Sequence, residues 1–198
     1  GTPSPAPPAA PLAQAALPHY DRAVLLEATA ETSANISIGD VNGDGHADIV
    51  LAKGRHWPLV DRVLLGDGRG KFPSAHDLGS ASDRSYSGHL VDLDGDGDLD
   101  VVISNDKPDP KLVYLNDGTG HFQPGSAYGQ AAWSTRNATI ADVNADGRPD
   151  IVVANRSGAR PGANYICLNQ GRGRFDQACQ QFSTESATTI TATDVNGD

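Results

Sequence analysis

The sequence predicts an all-β protein, a β-propeller built of four-stranded antiparallel blades. A segment rich in Asp and Gly occurs four times, starting at Asp40, Asp92, Asp142 and Asp194, with spacings of 52, 50 and 52 residues. Between its copies recur an apolar run, a Gly-containing turn and an aromatic residue, which is typical of a β-hairpin. The acidic residues are 22 Asp and only 3 Glu, which disfavours a helical protein because Asp is a poor helix former. A period near 50 residues that contains four short strands indicates propeller blades rather than a helical solenoid.

The composition divides the chain into two regions. Residues 1–18 contain six Pro among small residues and no charged side chain, which predicts an extended tether. Residues 19–198 carry the repeats and are expected to form a partial β-propeller. In the first repeat we expect strands near 34–40, at 48–53, at 61–66 and from about residue 71.

The acidic segment predicts a calcium-binding loop between the first two strands of each blade. Side-chain oxygens stand at positions 1, 3, 5 and 9, a Gly stands at position 6, and position 7 offers its backbone carbonyl. Alternate oxygen ligands around a sharp turn suit the coordination by six or more oxygens that Ca²⁺ prefers. The alternative is that Asp, Asn and Gly are only turn formers. The predicted metal ligands are Asp40, Asn42, Asp44, His46 and Asp48, then Asp92, Asp94, Asp96, Asp98 and Asp100, then Asp142, Asn144, Asp146, Arg148 and Asp150, and finally Asp194, Asn196 and Asp198.

These loops are not EF-hands. Position 12 holds Leu51, Ile103 and Val153, where an EF-hand carries Glu, and predicted strands flank the loops in place of helices. The pattern D-x-[DN]-x-D-G-x-x-D-[IV]-V at this spacing instead resembles the FG-GAP/VCBS repeat family, the calcium-loop β-propellers that include the integrin α-subunit head. The resemblance covers nearly all of residues 20–198. It implies a secreted or cell-envelope protein, with Ca²⁺ as the cofactor.

The repeat count predicts an incomplete ring. About 3.5 blades fit into residues 19–198, whereas propellers close with about four to eight blades. The family that the chain resembles usually has seven, so we expect this chain to be a truncated part of a seven-bladed ring that opens with a strand at Tyr20. The Gly-Ala-Pro signature of the family is absent after each predicted second strand, which favours the broad VCBS-type group over integrins.

The loops on the face opposite the acidic loops are the candidate ligand surface. In a meander, alternate connections share a face, so the unlike loops between the repeats gather there. They carry both Trp residues together with Arg, His and Tyr, and such side chains on a rigid scaffold are common in recognition of sugars and proteins. The alternative is that the Trp side chains only cap the blade cores. The candidate ligand-binding residues are Arg55, His56, Trp57, Tyr86, Trp133 and Arg136.

The sequence favours a binding module over an enzyme. No nucleophile elbow and no zinc-protease motif occurs, and the six His are dispersed. We therefore expect a non-catalytic, lectin-like or adhesion-like protein with a glycan or an extracellular protein as partner. The competing hypotheses are a propeller enzyme or accessory domain acting on extracellular polysaccharide, and a purely structural module.

The charge and the Cys residues bear on partners and compartment. A net charge of −10 and the lack of a long apolar run argue against nucleic acid and against membrane insertion. Cys167 and Cys179 fall on neighbouring predicted strands of one hairpin, which favours a disulfide and an oxidising compartment. Two reduced, packed thiols are the alternative.

Overall fold

The computed structural model describes residues 23–157 and 163–195 and contains twelve β-strands and no helix in these ranges. The prediction of an all-β protein with four-stranded antiparallel blades is therefore confirmed. The strands are β1 (Ser33–Gly39), β2 (Asp48–Lys53), β3 (Leu59–Leu65), β4 (Ser74–Asp83), β5 (Ser85–Val91), β6 (Asp100–Asn105), β7 (Lys111–Asn116), β8 (Phe122–Tyr128), β9 (Thr135–Ala141), β10 (Asp150–Asn155), β11 (Asn164–Cys167) and β12 (Gln180–Ser183).

Each blade is a simple antiparallel meander. The first sheet has the order β1-β2-β3-β4, the second β5-β6-β7-β8 and the third β9-β10-β11-β12. Only Arg84 separates β4 from β5, and residues 129–134 separate β8 from β9. Gly54, which follows β2, forms a parallel bridge with Ser85 at the start of the second blade. The acidic loops and the hairpin turns consequently lie on one face, and the remaining connections lie on the other.

The second strand of each blade forms the centre of the core. All six residues of β2, of β6 and of β10 are buried. Strand β6 has a described neighbouring blade on each face, whereas Leu26 and Phe72 help to cover one face of β2. In β6, Val101 and Ile103 pack toward the first blade, whereas Val102 packs toward the third. This alternation follows from the two-residue period of a strand, and it explains the continuous apolar runs in the sequence.

The predicted strand boundaries of the first repeat differ from the observed ones by at most about three residues. The predicted tether at residues 1–18 and the strand expected at Tyr20 lie outside the described residues. The expected 3.5 blades include a first strand of the fourth repeat, ahead of Asp194, but residues 184–195 form no strand. In every described blade the first strand pairs with the second strand of its own repeat, and the described residues contain no second strand for the fourth repeat.

The segment before Asp194 nevertheless lies beside the third blade as a first strand would. Ile190 N donates to Asn137 Oδ1 at 3.4 Å. The corresponding atoms between the first and second repeats are Gly88 N and Asn35 Oδ1, at 3.2 Å. The fourth repeat thus continues the arrangement of the first three.

Candidate metal loops and ligand cavity

The first Asp of each acidic loop closes the turn. The Asp40 carboxylate accepts hydrogen bonds from Gly43 N and Gly45 N, both at 2.8 Å. Asp92 accepts from Gly95 N at 2.7 Å, and Asp142 accepts from Gly147 N at 2.8 Å. The hydrogen bond from Gly147 is the main reason why the pKa of Asp142 lies below its usual value. The Asp142 carboxylate is therefore favoured in the ionised form that a cation needs.

The last Asp of each loop is buried and joins the loop to the hairpin of the same blade. Asp48, Asp100 and Asp150 are fully buried. In each, Oδ2 accepts the backbone N–H of loop position 2, and Oδ1 accepts a backbone N–H at the end of the third strand, with distances of 2.7 to 3.2 Å. Because each carboxylate oxygen has two lone pairs, this bonding leaves capacity for a metal ion.

The second loop gathers the densest group of carboxylates. Oxygens of Asp92, Asp94 and Asp100 all lie within 4.8 Å of one another, and no other such group of three acidic, His or Cys residues occurs in residues 23–157 and 163–195. Burial and, to a lesser degree, Asp94 and Asp96 raise the pKa of Asp100 to about 6. Burial and Asp96 likewise raise the pKa of Asp94. Like charges this close favour binding of a cation, so the donor set fits Ca²⁺.

The first and third loops differ because Asn stands at position 3. The Asn42 amide donates to Asp44 Oδ2 at 3.1 Å, and the Asn144 amide donates to Asp146 Oδ2 at 2.9 Å. Arg148 also pairs with Asp146. The position-5 carboxylates are thus partly neutralised from within their own loops.

The remaining predicted ligands are the residues at position 7 of each loop and those of the fourth loop. At position 7, the backbone N–H groups of His46, Asp98 and Arg148 donate to the position-5 carboxylates of Asp44, Asp96 and Asp146. Asp194 lies in the described chain, whereas Asn196 and Asp198 lie outside it.

The opposite face holds a cavity of about 400 Å³. Ala34, Tyr86, Arg136 and Thr188 line it, and each stands six residues before the first Asp of its acidic loop. The cavity is therefore surrounded by the same position of four successive repeats, and we call it the axial cavity. Ser33, Arg55, His56 and Arg156 complete its lining.

Four of the six predicted ligand residues meet at the axial cavity: Arg55, His56, Tyr86 and Arg136. The other two lie elsewhere. Trp57 follows His56 and is 70% exposed. Trp133 is half-buried, stacks on Tyr165 with ring centroids 4.0 Å apart, and packs against the core between the second and third blades.

Sequence reasoning missed two sets of residues on these faces. The first set is Thr188 in the cavity lining. The second set is the buried pair of Asn116, at the end of β7, and Asn169, near β11. Thr and Asn are small polar or turn-forming residues, so one alone does not indicate a site. Aligning the repeats on their acidic loops would have placed Thr188 in register with Tyr86 and Arg136. Aligning the recurring hairpins on their Gly-containing turns would have shown Asn116 and Asn169 at one position, where the first repeat has Gly66.

The structure joins Cys167 and Cys179 by a disulfide across the hairpin of the third blade. Within the described ranges, no helix is both long and apolar enough to span a membrane.

The fold and the loops define a β-propeller with one acidic loop in each blade. A sequence profile described as the FG-GAP-like repeat matches residues 40–103, 92–153 and 142–198. These matches cover most of the chain, which therefore belongs to the FG-GAP-like repeat family, whose members form propellers and often bind metal. Comparison with curated protein sequences gives no significant match.

Proposed function

We propose that this protein is a non-catalytic, calcium-binding propeller module that recognises an extracellular glycan or protein through the face opposite its acidic loops. The observation that carries the calcium assignment is the group formed by Asp92, Asp94 and Asp100. Oxygen ligands of this kind, with a backbone carbonyl and water, are the usual surroundings of Ca²⁺ in proteins. The axial cavity supports the recognition role, because it is concave and gathers Arg, His and Tyr side chains.

Calcium is expected to stabilise the folded chain. A ligand that binds only the native state at 100 times its Kd adds about 2.7 kcal/mol to the free energy of unfolding. Calorimetry in CaCl₂ and in EDTA should show a higher Tm with calcium. An unchanged Tm would refute the calcium assignment.

A matched variant locates the site. Asp94→Asn copies Asn42 and Asn144 at position 3 of the other loops, so the fold accommodates it. We expect it to raise the half-saturating calcium concentration about tenfold, since one charged ligand is lost. Asp176→Asn, which removes an exposed carboxylate away from the loops, should leave that concentration unchanged.

Recognition is tested by probing arrays of glycans and extracellular proteins with the calcium-loaded chain. Trp57 supplies an exposed aromatic face beside the cavity residues Arg55 and His56. Trp57→Ala is expected to weaken binding without changing Tm, because an exposed side chain contributes little to folding. Binding that is unaffected by the substitution would remove Trp57 from the proposed surface.

We propose an extracellular or cell-envelope location. FG-GAP-like repeats are typically extracellular, and a disulfide between Cys167 and Cys179 suits an oxidising compartment. A thiol assay on denatured protein from its natural source should find no free thiols. Detection of two thiols would argue for a reducing compartment.

A further inference from the structure

The axial cavity is basic, although the chain as a whole is acidic. Its lining contains Arg55, Arg136 and Arg156 and no Asp or Glu, whereas the formal net charge of the chain is −10. Among the described residues, one of these guanidinium groups has a carboxylate partner: Arg136 Nη2 lies 3.1 Å from the carboxylate of Asp106. Three positive groups thus face one negative group, and the cavity attracts anions that the rest of the surface repels.

Two of the three arginines are available to a ligand. Arg55 and Arg156 are both exposed, and no described carboxylate lies within 4.0 Å of either guanidinium. Arg55 has a φ of 56°, a left-handed conformation that is costly for a residue with a side chain. Such conformations cluster at functional sites. Here the backbone N–H of Arg55 is held by Ser85 O of the next blade at 3.1 Å.

The third arginine forms a fixed part of the cavity. The Arg136 guanidinium lies over the Tyr86 ring, 3.9 Å from its centroid. The Tyr86 hydroxyl in turn lies 3.0 Å from His56 Nδ1. Nε and Nη1 of Arg136 are buried and have no hydrogen-bond partner in the described residues. Its charge is therefore only partly neutralised by Asp106, and it adds to the positive potential of the cavity.

The repeat itself does not require these residues. Where the fold dictates a side chain, the repeats agree, as at Asp48, Asp100 and Asp150. At the cavity position the four repeats carry Ala34, Tyr86, Arg136 and Thr188. The exposed guanidinium groups of Arg55 and Arg156 form no ion pair with a described carboxylate, so a ligand is the partner that suits them.

We infer that the axial cavity binds an acidic saccharide, whose carboxylate lies between Arg55 and Arg156 above Arg136. This inference rests on the proposed recognition function and specifies its ligand. Guanidinium groups match the geometry of a carboxylate and form charge-assisted hydrogen bonds to it. The volume of about 400 Å³ lies within the range of roughly 300 to 1,000 Å³ that is usual for small-ligand sites.

A saccharide fits the lining better than an acidic peptide does. Besides the arginines, the cavity presents the polar groups of Ser33, His56, Tyr86 and Thr188, which suit sugar hydroxyls. The exposed Trp57 ring follows His56 in the same loop and offers an apolar face to a sugar ring.

The test uses three probes and calorimetric titration of the calcium-loaded chain. Trigalacturonate carries carboxylates, its fully methyl-esterified form has the same backbone without charge, and triaspartate is an acidic peptide. We expect binding of trigalacturonate alone, weakening as NaCl is raised. Arg55→Gln and Arg156→Gln should each lower its affinity about tenfold, since each removes a charge-assisted hydrogen bond. Arg69→Gln makes the same charge change on the exposed hairpin of the opposite face and should have no effect.

Each other result overturns the inference in a distinct way. Equal binding of the methyl ester would overturn the carboxylate assignment and leave glycan recognition standing. Binding of triaspartate in place of the saccharides would overturn the ligand class and leave recognition of a protein standing. If no probe binds and the arrays also stay blank, both the inference and the proposed recognition function are refuted. An unchanged Tm of the Arg variants, both at exposed positions, excludes misfolding as the cause of lost binding.

Discussion

Asp61 is a buried, hydrogen-bonded carboxylate whose ionised form lowers the free energy of unfolding. Its Oδ1 accepts the backbone N–H of Lys53 at 2.7 Å, and its Oδ2 accepts the Ser85 hydroxyl of the next blade at 2.8 Å. Burial nevertheless raises the pKa of Asp61 to about 7. In the third blade Asn164 occupies the same position and accepts the backbone N–H of Asn155 at 2.9 Å without a charge.

Asp61→Asn is therefore expected to change how stability depends on pH. Because the folded pKa lies above the unfolded value, protonation of Asp61 stabilises the fold at low pH, and this contribution is lost as pH rises from about 4 to about 7. The variant should gain as much as about 4 kcal/mol over the wild type between pH 4 and pH 8. Urea unfolding in excess calcium measures the difference.

The control for this prediction is Asp77→Asn, whose carboxylate is 58% exposed. It makes the same substitution at an accessible carboxylate. If the stability of Asp61→Asn ran parallel to that of the wild type between pH 4 and pH 8, burial would not raise the pKa of Asp61 and the prediction would be wrong.

At the scale of elements, the hairpins connect one blade to the next. Asn116 Nδ2 donates to Val41 O, in the acidic loop of the preceding blade, at 2.7 Å, and to Leu99 O of its own loop at 3.1 Å. Asn169 repeats this with Leu93 O at 2.9 Å and Pro149 O at 3.1 Å. Each Asn thus fixes two acidic loops to one hairpin.

Asn169→Ala should destabilise the fold by about 2 to 4 kcal/mol, because it leaves one buried and one partly buried carbonyl group without this donor. Gln170→Ala is the matched control, since the Gln170 side chain donates to Leu168 O of its own hairpin, at 3.1 Å. Urea unfolding of both variants checks the prediction. Equal changes in the free energy of unfolding for the two substitutions would show that the hydrogen bond between blades stabilises the fold no more than the bond within one hairpin.

The sequence predicted the strands well and the connections between blades poorly. The second strands, such as Asp48–Lys53, were placed correctly because a continuous apolar run between an Asp and polar residues has a clear start and end. Asn116 and Asn169 were overlooked because their partners are backbone carbonyls about 75 residues away, which leave no trace in a side-chain pattern. Trp133 illustrates the same limit, since stacking on Tyr165 depends on how two loops meet in space.

For the whole molecule, the repeats build two faces with different chemistry. The acidic loops are governed by the fold, so the spacing of Asp and Gly sufficed to predict them. The axial cavity is lined by one position of four successive repeats, and that position holds a different residue type in each. Only the assembled blades show that these four residues meet. Neighbouring blades pack on one another through shared cores, as in other repeat proteins where each unit contacts only its neighbours.

The segment before the first strand belongs to this packed unit through Lys53. This Lys is fully buried, and its Nζ lies 2.5 Å from Glu27 and 2.6 Å from Glu31. Burial alone would lower the pKa of Lys53, but the hydrogen bonds to both Glu residues raise it overall. Residues 23–32 form no strand, and they supply the counter-charges of an ammonium group that has no access to water.

This pairing sets where an independently folding fragment has to begin. A recombinant fragment of residues 33–198 would retain every described strand, yet it would leave a buried cation uncompensated at a cost of roughly 3 to 5 kcal/mol. We expect its Tm to fall, and Lys53→Met to restore most of the loss in the fragment while destabilising the longer chain. If the fragment had the same Tm as the full chain, Glu27 and Glu31 would be dispensable for stability. The N-terminal boundary of a fragment for expression or domain transfer is thus set by the Glu residues that neutralise Lys53, and these residues precede the first strand.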